Sequence, residues 1–146
     1  MKRNIRNAAA LILAMILAFS LAACGRGTSK TAPAEGLWKD ATYLSDTELG
    51  TGAKTMKVEV KAEEKTILFT VHTDRDTVGE ALLDNGIVAG EEGPYGLYVK
   101  VVNGITADYD IDQSYWAFNI DGETAMTGVD GAEIAEGTIY QLAYTK

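Results

Sequence analysis

Two runs between Met56 and His72 set an apolar residue at every second position, and that period constrains the fold more than any other feature. Met56, Val58 and Val60 alternate with Lys57, Glu59 and Lys61, and after a polar break Ile67, Phe69 and Val71 recur at the same period. Successive side chains of a strand point to opposite faces, so each run predicts a half-buried strand. The break, Ala62-Glu63-Glu64-Lys65, has the length of a hairpin loop. The period then changes. Thr77-Val78-Gly79-Glu80 has the form of a capping box, and Val78, Ala81 and Leu82 follow at helical spacing. Gly86 suits a left-handed position after the last turn, so the spacing predicts one helix of two to three turns over 77–86.

The rest of the chain returns to strands. Leu97 to Val102 and Ile105 to Tyr109 flank the tight-turn pair Asn103-Gly104, and Tyr115 to Ile120 and Glu123 to Thr127 flank Asp121-Gly122. Thr138 to Tyr144 closes the chain, and Trp38 to Leu44 is a further edge-strand candidate. A hairpin, a helix and more strands predict an α+β domain: a small, mostly antiparallel sheet over one short helix, β-grasp-like. A β-sandwich with an incidental helix is the alternative.

The N-terminus reads as an address. Met1 to Asn7 holds three basic residues and no acid, and Ala8 to Ala23 is apolar except for Ser20. A positive start, a short apolar run and small residues at its end make a signal-peptide layout over 1–23. The run is shorter than the roughly 20 apolar residues that a membrane span needs. It ends Leu21-Ala22-Ala23-Cys24, which resembles the bacterial lipobox, and Cys24 is the only cysteine. The resemblance implies cleavage before Cys24 and a diacylglycerol on its sulfur. That predicts a lipid anchor on the extracytoplasmic side of a bacterial cell membrane, since two or more acyl chains hold stably where one is marginal. Residues 24–36 are small, polar and without period, and are expected to form a tether ahead of a single domain over 37–146.

Composition excludes several functions. Removing residues 1–23 takes away Lys2, Arg3 and Arg6 but no acid, so 13 basic against 21 acidic residues become 10 against 21. So acidic a surface argues against nucleic acid as a partner. A lone His72 and a lone cysteine exclude a relay of two imidazoles and an internal disulfide. Ser29, Ser45 and Ser114 lie outside any nucleophile-elbow setting, so no catalytic residues are assigned and no enzyme is expected. Asp108, Asp110 and Asp112 would share one face of a strand and are weak candidates for a hard cation. They lack the glycine and the closing glutamate of an EF-hand loop, and a solvated acidic edge explains them better, so no metal site is assigned. The aromatic residues are the better lead. Tyr95, Tyr98, Tyr115, Trp116 and Phe118 cluster around the two middle hairpins, where an apolar ring with a polar tip suits a ligand surface. Trp116 and Phe118 share a face with Ile120 and are better suited to a core, whereas Tyr95 and Tyr115 suit either role.

Gly96 to Ile105, then Ser114-Tyr115-Trp116-Ala117-Phe118, then Thr127-Gly128-Val129 and the closing Gly137 to Tyr140 occur in order. This run resembles the C-terminal β-domain of the cobalamin carriers transcobalamin and intrinsic factor, and more closely the bacterial surface domains of unknown function related to it. The resemblance covers about residues 66–146 and implies a β-grasp-like fold. In the carriers the strand bearing Tyr-Trp-Gln-Phe helps to cover the corrin face. Here Ala117 stands in place of the glutamine, so that polar contact is lost. The carriers also have a large helical domain, for which this chain has no room. The expectation is therefore a lipid-anchored, non-catalytic binding module, with a corrinoid as a candidate small ligand. The alternative is a cell-surface module for a protein or glycan partner.

Overall fold

The computed structural model describes residues 33–146, which form one compact unit. The expected signal peptide, the lipidation site Cys24 and most of the expected tether lie outside the described residues. Of the tether, Pro33 to Glu35 are irregular and Gly36 opens a 3-10 turn, Gly36–Asp40.

Nine strands follow: β1 (Thr47–Gly50), β2 (Lys54–Ala62), β3 (Lys65–Thr73), β4 (Val88–Gly93), β5 (Gly96–Val102), β6 (Ile105–Thr106), β7 (Tyr115–Ile120), β8 (Glu123–Thr124) and β9 (Ile139–Thr145). Helix α1 spans Val78–Asp84, and a single helical turn, α2, spans Tyr109–Asp112. Six strands form one sheet in the order β1-β3-β2-β9-β7-β8, and β4-β5-β6 form a second. In the large sheet β9 runs parallel to β2 and antiparallel to β7, and β1 runs parallel to β3. The protein is α+β and mainly strand.

The alternation anticipates the burial. Met56, Val58 and Val60 on β2 and Ile67, Phe69 and Val71 on β3 are buried, while Lys57 and Lys61 face out. Tyr140 and Leu142 carry the same buried face onto β9. Helix α1 adds Val78, Ala81 and Leu82, and the small sheet adds Val88, Val102 and Ile105, to one continuous core. The N-cap half of the box forms: Thr77 Oγ1 accepts the Glu80 N–H at 3.3 Å, while Glu80 Oε2 reaches back to the Thr77 hydroxyl at 3.3 Å instead of the Thr77 N–H. Gly86 takes φ +65° beyond the helix end.

Three expectations are corrected. Trp38 to Leu44 is no strand: Trp38 is buried in the 3-10 turn, where its indole Nε1 donates to the Ala62 carbonyl at 2.9 Å, and the edge strand is β1. Strand β6 is two residues long, because Asp108 caps the turn α2 and ends it. Likewise β8 stops at Thr124 and does not reach Thr127. Asn103 and Gly104 do turn the chain, at φ +52° and +81°, and the turn has a second task. The buried Asn103 amide accepts from Tyr43 N at 2.9 Å and donates to Tyr43 O at 2.8 Å, which fastens the N-terminal segment to the core.

Candidate functional site: the β4–β5 turn

Strands β4 and β5 pair as a hairpin closed by Gly93 opposite Gly96, with Pro94 and Tyr95 at its tip. Proline presets the first turn position, and Gly96 at φ +96° supplies the left-handed step back into β5. Around this tip lies a hollow of about 440 Å³, lined chiefly by Glu91, Glu92, Pro94, Tyr95, Leu97 and Tyr98, with Gly128 beside it. Tyr95 is 97% exposed and Tyr98 45%, so both rings are free to meet a ligand. On β4 Glu91 stands opposite Tyr98 and accepts from Lys100 Nζ at 3.2 Å. That bond foremost, with the Glu91, Asp108 and Asp110 charges, raises the Lys100 pKa against the opposing effect of desolvation.

The turn is held from beneath by Asp130, in the 3-10 turn Val129–Gly131. Its Oδ2 accepts the Leu97 N–H at 2.7 Å. A side chain at Gly96 would meet the same carboxylate, as would one at Gly79 on α1, so two glycines make room for Asp130. Asp130 thereby couples α1 to the hairpin tip. Sequence reasoning passed over it, because a lone aspartate in a glycine-rich run carries no period.

The five aromatic residues divide. Tyr95 and Tyr98 meet at the hollow. Tyr115 lies on the opposite, solvent-facing side of β7 from its neighbour Trp116 and is 41% exposed. Trp116 is 7% exposed and packs edge-on against Tyr144, with ring centres 5.6 Å apart. Phe118 stacks on Tyr140 at 6.2 Å. Trp116 and Phe118 therefore belong to the packed side of the sheet and do not join the exposed tyrosines, because strand alternation places them on the face that the core covers.

The three aspartates are corrected in the same way. Asp108 caps α2, accepting from Asp110 N at 3.0 Å, so the three do not line one strand face. Asp112 is held by the Ser114 hydroxyl, by Lys146 Nζ at 3.0 Å and by the Ser114 N–H at 3.1 Å. These bonds, the Ser114 hydroxyl foremost, lower its pKa to about 2. Among the described residues no three His, Cys, Asp or Glu side chains converge to hold a metal ion. Nor is any helix among them long and apolar enough to cross a membrane. His72 lies between Glu48 Oε1, 2.6 Å from its Nε2, and Thr55 Oγ1, 3.2 Å from its Nδ1. It borders a polar hollow of about 500 Å³ in which Arg75 is already bound to Asp84 at 2.6 and 3.3 Å.

The domain is thus a two-sheet α+β fold with an aromatic hairpin tip. The profile of a family described as "Domain of unknown function (DUF4430)" matches residues 75–146, just under half of the chain. No curated protein matches it. Several solved structures are similar, two of them as follows. One is described as a "putative metal binding protein" from Ruminococcus gnavus ATCC 29149: it is 30% identical with a TM-score of 0.60, over 64% of this chain and 98% of that one. The other is haptocorrin in complex with Cbi, 20% identical with a TM-score of 0.50, over 64% of this chain. The chain spans a quarter of haptocorrin, 25% of its length, and the likeness there is one of fold.

Proposed function

We propose that the domain is a non-catalytic binding module, anchored through Cys24 on the extracytoplasmic face of a bacterial membrane, that captures a corrinoid-like small ligand at the β4–β5 turn. The observation that carries the reading is the hollow of about 440 Å³ with the exposed Tyr95 and Tyr98 on its wall. Ligand pockets commonly measure about 300–1,000 Å³ and are mostly apolar with a few polar groups. Glu91 and Glu92 supply those polar groups here. The hollow is small beside a corrinoid, so it covers one part of such a ligand and leaves the rest open. Haptocorrin's complex with Cbi supports the ligand class. A β-grasp-like description of the large sheet fits the same reading: the last strand, β9, lies between the first hairpin strand, β2, and β7, and α1 follows the hairpin.

The test is a titration with cobinamide and cyanocobalamin, followed by thermal unfolding. A ligand that binds only the folded state adds about 2.7 kcal/mol at a hundred times its dissociation constant. The expected result is a raised melting temperature that Tyr95→Ala and Tyr98→Ala each diminish and Trp116→Phe leaves in place. An unchanged melting temperature with both corrinoids sinks the reading, and so does a rise that survives loss of both tyrosines.

A further inference from the structure

On the side of the large sheet away from the core, β2, β9 and β7 present a second constellation, remote in sequence from the hairpin tip. Register places Glu59, Gln141 and Asn119 side by side across the three strands. Asn119 Nδ2 donates to Gln141 Oε1 at 3.1 Å, and Gln141 Nε2 donates to Glu59 Oε2 at 2.8 Å. Each member orients the next. One proton on each amide, together with Asn119 Oδ1 and Glu59 Oε1, makes no other hydrogen bond among the described residues. Two residues further along, Ala117 pairs with Ala143, a low floor beyond which Tyr115 stands opposite Thr145. In the other direction the row leads past Lys57 and Ile139 into a hollow of about 320 Å³, lined by Thr55, Lys57, Glu136, Gly137, Thr138 and Ile139.

From these positions we propose that the open face of β2, β9 and β7 binds a neutral polysaccharide chain, running from Tyr115 across the Glu59–Gln141–Asn119 row to the Ile139 hollow. Sugar hydroxyls both donate and accept, which is what a fixed row of amides and a carboxylate with spare donors and acceptors answers. A sugar ring also has an apolar face, which Tyr115 and Ile139 meet at the two ends. Charge agrees: Lys57 and Lys61 offset Glu59 and Glu136, a locally neutral strip on a chain where 21 acids otherwise outnumber the bases. The span from Thr145 to Ile139 is about 20 Å at the usual rise of a strand, room for an extended oligosaccharide.

The experiment uses the full chain in a detergent without a sugar headgroup. Cellotetraose, xylotetraose and chitotetraose are titrated while the side-chain amide resonances of Asn119 and Gln141 are followed by NMR. At least one of the three is expected to shift both resonances. Gln141→Ala and Asn119→Ala are each expected to weaken that binding at least tenfold, and Tyr98→Ala to leave it unchanged. Both amides are half-exposed, and the spectrum of each variant reports whether it is folded. Three flat titrations overturn the proposal and leave the face to a protein partner. Binding that survives both amide variants, or that falls equally with Tyr98→Ala, also overturns it.

Discussion

Replacing Asn103 by glycine isolates one side chain. The backbone there sits at φ +52°, which glycine adopts freely, so the turn itself is spared. What is lost is the amide that is 1% exposed and exchanges two hydrogen bonds with Tyr43, at 2.9 and 2.8 Å. The Tyr43 N–H and C=O are then left in a part-buried setting without partners. Each buried orphan costs about 1–3 kcal/mol, and Tyr43 recovers some of that from water, so the expected loss is about 2–4 kcal/mol. Against a typical domain stability of about 5–15 kcal/mol that is a large share. At about 4 °C per kcal/mol for a chain of this size, the melting temperature should fall by about 8–16 °C. The assay is urea and thermal unfolding of the Pro33–Lys146 unit, followed by tryptophan fluorescence. Trp38 sits in the segment that Asn103 fastens. Asn103→Asp should be worse than Asn103→Gly at neutral pH, since it turns a carboxylate oxygen toward the Tyr43 carbonyl. A loss below about 1 kcal/mol for Asn103→Gly, within the net value of one ordinary hydrogen bond, would refute the fastening role.

Other perturbations test other links. Thr77→Ala removes the cap that accepts Glu80 N and should cost about 1 kcal/mol in urea unfolding, with Thr77→Ser nearly neutral. Asp130→Ala frees the Leu97 N–H, so hydrogen exchange at Leu97 and Tyr98 should speed up while exchange in β2 and β3 stays slow. Asp112 has its folded pKa lowered to about 2 from 3.8, so its stabilising effect is complete above about pH 4 and fades as pH falls toward 2. Asp112→Asn should therefore be less stable than the parent at pH 5, and most of the gap should be lost between pH 4 and pH 2; an unchanged gap would contradict the Ser114 and Lys146 bonds.

How much of this was legible in the sequence follows from where periodicity exists. The β2–β3 hairpin, the capped helix and β9 carry clean alternation or a capping box, and each formed where those signals lie. Strand β4 gives no such signal: Ala89-Gly90-Glu91-Glu92-Gly93 has no alternation, and it is a strand because β5 pairs with it across a bulge at Ala89–Gly90. Strand β1 is only four residues, too short to show a period, and exists through its parallel pairing with β3. Asp110 and Asp112 read as strand residues because alternation was assumed to continue past Thr106, whereas Asp108 ends β6 by capping. At the site, sequence proximity gathered five aromatic residues, of which Tyr95 and Tyr98 went to the β4–β5 hairpin while β7 divided Tyr115 from Trp116 and Phe118 between its two faces. Asp130, Asn119 and Gln141 acquire their roles only when register brings distant strands together.

The measurement that tests the central claim most directly maps the amide resonances of the isotopically labelled domain during titration with cobinamide. The account predicts shifts confined to Glu91–Tyr98 and Gly128–Asp130, lost in Tyr98→Ala, with the Trp116 indole resonance unmoved. Shifts centred on Trp116 and Phe118, or no shifts at ligand concentrations that saturate a corrinoid carrier, would contradict it.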